Sequence, residues 1–319
     1  MTSSRRCSRA RRRSPESSTH AEASAPVSLL RTRLGLPGHD VAPGDSVDSR
    51  PRSPWWARED RMPVKPDPPG FPQRRCADVC SVTAAQMRDV QRLAQEEFGL
   101  DILQLTENAG RSAALLAFAM LGGRGRGQRV VVLAGGGNKG AAGLAAIRHL
   151  ANWGCRVEPV ISGVEEEVSF TARRQMHILR QSGLLQPADL DASEVTLEEQ
   201  LANADLVIDA LVGYGLEGPP VGVAAAVTRL AIESRRPILA LDVPTGVNAT
   251  TGEVSTPAIR AVTTLMLDLP KRGCLESQAR GMVGELYLAD IGIPLSVHQR
   301  LGIPVGQLYA EGPIVRLRR

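Results

Sequence analysis

The chain has 319 residues, 43% of them hydrophobic and only 3% aromatic; this suffices for one large domain or two small ones, with a core of Leu, Val, Ile and Ala. The formal charge of +4 is uneven: residues 1–77 carry 15 Lys/Arg against 8 Asp/Glu, and the remainder 23 against 26. The body is thus mildly acidic and gives no case for a nucleic-acid surface. Five scattered cysteines, Cys7, Cys76, Cys80, Cys155 and Cys274, point to a reducing, cytoplasmic setting and away from a disulfide framework.

Residues 1–77 hold eleven of the 22 prolines, an arginine cluster from Arg5 to Arg13, and no sustained periodicity. Such a segment cannot bury enough apolar surface to offset its ordering entropy, so it reads as a disordered basic extension. A single folded domain, 78–319, is expected after it, ordered from about Ser81. Cys76 and Cys80 lack the second pair of cysteines or histidines that a zinc site needs. No apolar run approaches the ~20 residues required to span a bilayer.

Thr83 is placed to cap a first helix in which Met87, Val90, Leu93, Ala94 and Phe98 recur at helical spacing before Gly99. A second helix spans 104–121, with Thr106-Glu107-Asn108 read as caps near its start. Next, Val130 to Leu133 is an apolar run that breaks into Gly135-Gly136-Gly137 and resumes as Leu144, Ile147 and Leu150 at helical spacing. That is strand, tight glycine loop, helix. Afterwards strands are expected at 156–161, 205–210, 238–243, 264–269 and 284–290, with helices around 169–181, 197–202 and 223–234. Their alternation through short loops predicts an α/β fold: a Rossmann-like, doubly wound, mostly parallel sheet with helices on both faces.

In such a sheet, ligands bind beyond the carboxyl ends of the strands, where the strand order reverses. Three strand ends carry suitable groups. The first is the glycine loop, Gly135 to Gly143, whose bare backbone and following helix N-terminus can approach a phosphate. The second is Asp209 to Pro219, an aspartate leading into a glycine-rich turn. The third is Asp242-Val-Pro-Thr245-Gly246, an aspartate leaving a strand with a hydroxyl in the turn beyond it. A nucleotide ligand accounts for glycine backbone and carboxylates together. A P-loop is excluded, because Gly140 is followed by Ala141 and Ala142 where Lys and Ser/Thr are required. A nicotinamide dehydrogenase fits poorly, because the second strand ends at Ile161-Ser162-Gly163 without the acid that would hold a ribose, and Glu165 to Glu167 come too late. No Gly-x-Ser-x-Gly elbow is present.

Taken in order, Thr83-Ala-Ala-Gln-Met87, Thr106-Glu-Asn-Ala-Gly110, the glycine loop with Ala146-Ile-Arg-His-Leu150, Asp209-Ala-Leu-Val-Gly-Tyr-Gly-Leu216, Asp242-Val-Pro-Thr-Gly246, Leu269-Pro-Lys271 and Asp290-Ile-Gly-Ile-Pro294 resemble the YjeF N-terminal domain family, the NAD(P)H-hydrate epimerases. The resemblance runs from about Ser81 to Arg319. It implies an isomerase of nicotinamide nucleotide repair that interconverts the R and S hydrates of NADH and NADPH (NADHX and NADPHX), working alongside a separate NAD(P)H-hydrate dehydratase. A homodimer is among the assemblies it allows, and neither a membrane nor a nucleic-acid partner is expected. By resemblance, Asn138, Lys139, Gly140, Ala141, Ala142, Gly213, Tyr214, Gly215, Leu216, Glu217, Gly218, Pro219 and Asp242 bind the substrate, with Asp242 as the acid/base group. A potassium ion (K+) is implied at Asp209 and Thr245, with Lys139 at the third ligand position.

The loop departs from the family pattern. Lys139 stands where the ion-binding asparagine is usual, and Ala142 where an aspartate is usual. Gln91 stands where relatives often carry an aspartate. The first departure predicts that the Lys139 ammonium takes the place of potassium and pairs with Asp209. The loss of the loop carboxylate opens a second reading, a catalytically silent module that binds a nucleotide or a protein partner.

Overall fold

Alternate residues of strand β2 (Arg129–Ala134) enter different cores: Val130, Val132 and Ala134 join one, and Val131 and Leu133 the other. Side chains of a strand alternate across the sheet, so a run buried throughout means both faces are covered. The computed structural model describes residues 64–163, 168–186, 194–215 and 218–319. Among them are eight strands: β1 (Gln73–Arg75), β2, β3 (Arg156–Ile161), β4 (Leu206–Ala210), β5 (Ile238–Leu241), β6 (Thr263–Leu267), β7 (Glu285–Ala289) and β8 (Ile314–Arg318). They form one sheet in the order β1-β8-β7-β6-β5-β4-β2-β3.

Pairings from β3 through β7 are all parallel, β8 joins β7 antiparallel, and β1 runs parallel to β8. The expected doubly wound, mostly parallel sheet is therefore present. From β2 the chain adds β3 on one side and then returns to add β4, β5, β6 and β7 on the other. The order thus reverses between β2 and β4, and their carboxyl ends, Ala134 and Ala210, lie in register across that seam.

One core is covered by α1 (Ala84–Glu96), α2 (Ile102–Met120), α3 (Asn138–Asn152) and α4 (Phe170–Gln181). The other is covered by α5 (Glu194–Asn203) and α6 (Gly222–Glu233). Short helices α7 (Arg272–Leu275), α8 (Arg280–Val283) and α9 (Leu295–Arg300) complete the carboxyl-terminal third. Thr83 caps α1 through a reciprocal box with Gln86, satisfying two otherwise unpaired N–H groups. Asp101 and Gln104 do the same for α2.

Four expectations change. Strand β1 lies inside the segment 1–77 read as an extension, so ordered chain includes residues before Ser81; residues 1–63 lie outside the described residues. Strand β8 was not anticipated at all. Helix α1 ends at Glu96, leaving Phe98 beyond it beneath the guanidinium of Arg300. Thr106, Glu107 and Asn108 are interior residues of α2 and not caps: Thr106 bonds back to the Ile102 carbonyl, Glu107 reaches Arg148 and His149 on α3, and Asn108 donates to the Ile291 carbonyl.

Candidate active site

The carboxyl ends of β2 to β7 open onto a cavity of about 460 Å³, within the range of small-molecule sites. The first wall is the glycine loop. Gly135 donates its N–H to the Ala210 carbonyl at 2.9 Å, which holds the loop against the end of β4. A Cβ on Gly140 would stand 1.8 Å from the Gly135 carbonyl oxygen, so only glycine lets the chain double back this tightly. Gly137 caps α3 without a side-chain bond, leaving the first-turn N–H groups for solvent or ligand. Ser169 and Thr171 at the start of α4 steady Asn138: the Thr171 hydroxyl donates to Asn138 Oδ1 at 2.6 Å, and Ser169 Oγ lies 2.9 Å from Thr171 Oγ1. With Oδ1 engaged, the amide Nδ2 is what Asn138 offers to a ligand.

Two buried ion pairs form the back of the site. Asp209, the fourth residue of β4, has no solvent exposure and accepts from Leu211 N–H (3.1 Å), Thr245 N–H (2.8 Å), Thr245 Oγ1 (2.7 Å) and Lys139 Nζ (3.2 Å). Lys139 Nζ also donates to the carbonyls of Val243 at 2.8 Å and Val212 at 2.9 Å, and to Thr245 Oγ1 at 3.3 Å. Burial pushes the Lys139 ammonium below its ordinary value, against the opposing pull of Asp209.

The second pair is Asp242 with Lys271, 2.7 Å between Oδ1 and Nζ. Asp242 leaves β5 with φ at 66°, a left-handed conformation that costs a residue with a Cβ of order 1 kcal/mol or more and is concentrated at functional sites. Its other oxygen, Oδ2, lies 3.5 Å from where a Cβ on Gly213 would be. Glycine at 213 therefore keeps this carboxylate uncovered on the cavity side. Lys271 is fully buried, also bonds the Leu267 carbonyl, and has its Nζ 5.9 Å from the centre of the Tyr214 ring. The Tyr214 hydroxyl donates to Gln91 on α1 at 2.5 Å. Burial, with the Asp242 charge second, pushes the Tyr214 phenol up to about 12.

Of the residues singled out by sequence, Asn138, Lys139, Ala142, Gly213, Tyr214, Gly215 and Asp242 line the cavity. Gly140 and Ala141 do not; they are buried in the first turn of α3 and act through its packing. Gly218 and Pro219 are also away from the lining, while Leu216, Glu217 and Glu165 to Glu167 lie outside the described residues. Asp209, Thr245 and Lys139 meet as one cluster. Ala142 is 2% exposed and gives an apolar floor with Leu105 and Ala109.

Sequence reasoning missed Lys271, Thr171 and the part α2 plays in the wall. Lys271 lies four residues past the end of β6, where the position matching Asp242 is Asp268; its signal in the sequence is the Leu269-Pro-Lys271 motif, which carries the resemblance without a role for the lysine.

These features define a doubly wound α/β protein with its cavity at the topological switch point and a buried ion pair whose carboxylate, Asp242, lines it. The sequence profile of the YjeF-related protein N-terminus family matches residues 102–273, and the chain belongs to that family. It is 39% identical over 240 residues to the NAD(P)H-hydrate epimerase of Dehalogenimonas lykanthroporepellens, covering 75% of this chain and 93% of that one. It is 34% identical over 218 residues to the bifunctional NAD(P)H-hydrate repair enzyme Nnr of Moorella thermoacetica, covering 67% of this chain and 40% of that one. The crystal structure of yeast ynu0, YNL200c, shares the fold, with a TM-score of 0.63 at 22% identity over 75% of this chain and 100% of that one.

Proposed function

We infer that the protein is an NAD(P)H-hydrate epimerase, an isomerase that interconverts the R and S hydrates of NADH and NADPH. The observation that carries the mechanism is Asp242. Among the described residues it is the carboxylate that lines the cavity, with Oδ1 tied to Lys271 and Oδ2 open beside Gly213. The reacting carbon of the substrate, C6, bears a hydroxyl next to the ring nitrogen N1. Its configuration is lost when either bond breaks reversibly. Cleaving C6–O requires a proton delivered to the departing water; cleaving C6–N1 requires the hydroxyl proton to be taken away and later returned. Either route needs one carboxyl group at the hydroxyl, which is the role given to Asp242, worth ~10²–10⁴ in rate. Lys271 fixes the carboxylate and balances its charge; Asn138 Nδ2 and the α3 N-terminus meet the polar part of the nucleotide.

The reading also supplies a context. The bifunctional relatives carry the repair enzyme name over a chain more than twice the matched length, consistent with functional coupling to an NAD(P)H-hydrate dehydratase. No described helix is long and apolar enough to cross a membrane, and the four described cysteines are free thiols, in keeping with work in the cytoplasm.

The deciding experiment supplies purified R-hydrate to an S-specific dehydratase, with and without this protein, and follows the return of NADH. Faster recovery with the protein than without it, lost in Asp242→Asn, is expected. Recovery at the spontaneous rate in both would replace the enzyme with the silent binding module.

A further inference from the structure

The surroundings of Lys139 Nζ are those of an ion more than of a surface lysine. Four oxygens converge on it within 3.3 Å: the Val243 and Val212 carbonyls, Asp209 Oδ2 and Thr245 Oγ1. The Thr245 hydroxyl spends its proton on Asp209 Oδ1 at 2.7 Å, so all four are acceptors. A neutral amine would offer these four acceptors two protons and turn a lone pair toward the others, whereas an ammonium offers three protons and no lone pair, with one oxygen served by charge or a shared hydrogen bond. Two backbone carbonyls, a hydroxyl and a carboxylate, without nitrogen or sulfur, are also the donors that hard cations select. The cluster is almost closed, with the Lys139 side chain 7% exposed at the cavity wall and that of Asp209 not exposed at all. The lysine stem fills the approach, its Cδ lying 3.4 Å from where a Cβ on Gly213 would stand.

A separate potassium ion does not fit beside this group. It would need the same oxygens, and one largely buried carboxylate would then face two positive charges. We propose that Lys139 Nζ is a tethered monovalent cation that replaces potassium in this chain, joining the ends of β4 and β5 and fixing the Val212–Gly213 turn beside Asp242. A lysine ammonium is a compact charge on a flexible stem, suited to that exchange. The oxygen cage remains a latent potassium site: shortening residue 139 to an uncharged side chain opens it, and Asp209 then requires an ion from solution.

This deepens the epimerase reading, on which its activity arm rests, and the binding arms stand apart from it. Thermal unfolding is measured for the unmodified protein, Lys139→Asn and Lys139→Gln in potassium, sodium and tetramethylammonium chloride at one ionic strength. Thallium(I) serves as a spectroscopic probe of the cage. The unmodified protein is expected to unfold at the same temperature in all three salts, to take up no thallium, and to epimerise equally well in each. The variants are expected to unfold earlier in tetramethylammonium, to recover with potassium more than with sodium, to bind thallium, and to lose about 100-fold in epimerisation without potassium, the size of a ~1 Å displacement of the turn beside Asp242.

Potassium-specific stabilisation or thallium binding in the unmodified protein overturns the proposal, and so do folded variants indifferent to potassium. If neither variant folds, the unmodified protein alone decides. An absence of epimerisation with the unfolding and thallium results intact overturns the epimerase reading and leaves the tethered cation standing.

Discussion

Asp242 and Lys271 are each buried and each depend on the other for charge balance. Removing one partner of such a pair leaves an uncompensated buried charge and costs about 3–5 kcal/mol. Lys271→Met is therefore expected to lower stability by that amount and to depress epimerisation, and Asp242→Asn to strand the lysine in turn. The double variant is expected to be more stable than the sum of the single changes requires, because residues in contact are not additive; urea unfolding of the three variants checks this, and strict additivity would mean the pair does not act as a unit. Thr171 gives a different signature. Thr171→Val frees Asn138 Oδ1 from its 2.6 Å bond, so KM is expected to rise while kcat changes little, the mark of lost ground-state binding. The sequence exposes Asp242 and Asp209 because each ends an apolar run at the edge of a turn. It hides Thr171, which lies 33 positions from the Asn138 it reaches, and it hides which oxygen of Asp242 stays open, since that follows from a left-handed φ and a neighbouring glycine.

At the scale of elements, α3 brings the loop, the cation and the sheet together, and its small residues are what allow it. A Cβ on Gly143 would stand 2.4 Å from the Ala210 side chain and 3.3 Å from Val132, so Gly143→Ala must push the helix off the sheet seam. Overpacking of this kind costs about 1–3 kcal/mol. Gly137→Ala meets nothing within 4 Å, and its expected denaturation midpoint is close to that of the unmodified protein. A Gly143→Ala midpoint equal to that of Gly137→Ala would refute the close approach. The strands β2 to β7 are legible because apolar residues bounded by turn residues dominate all of them but β3, Arg156-Val-Glu-Pro-Val-Ile161, which alternation with helices places, and their ends are misplaced by two residues at most. Strands β1 and β8 are not. They are arginine-bearing strands at one end of the sheet, Gln73-Arg74-Arg75 at the edge and Ile314-Val-Arg-Leu-Arg318 beside it, and the partners Gln73 and Arg316 lie at opposite ends of the described chain. No local pattern reports a pairing at that separation.

Over the whole molecule, the alternation of elements is sufficient to locate the cavity, because a doubly wound sheet has its cleft where the strand order reverses. Two strands follow β2 on different sides, and that alone brings the glycine loop, Asp209 and Asp242 to one end.

The alkaline limit of the fold is also a property of the whole chain. All three tyrosines are held above the ordinary phenol value: Tyr214 and Tyr287 are pushed up to about 12, and Tyr309 well above 10, in each case by burial first. The thiols of Cys155 and Cys274 are raised by burial in the same way, to about 11 and about 12. A group whose folded value exceeds its unfolded value keeps a proton that the unfolded chain gives up. Its stabilising contribution is complete below the unfolded value and is lost as pH rises to the folded one. Stability is therefore expected to fall from about pH 9, where unfolded thiols ionise, and more steeply from about pH 10, where unfolded phenols do. Ultraviolet titration of the native protein should show little phenolate until well past pH 10, while the same titration in concentrated guanidinium should centre near it. Urea midpoints at about pH 8 and about pH 11 should differ in the same sense. Native phenolate forming with a midpoint near 10 would mean that Tyr214 is open to solvent, and the cavity wall it builds with Gln91 would then be open as well.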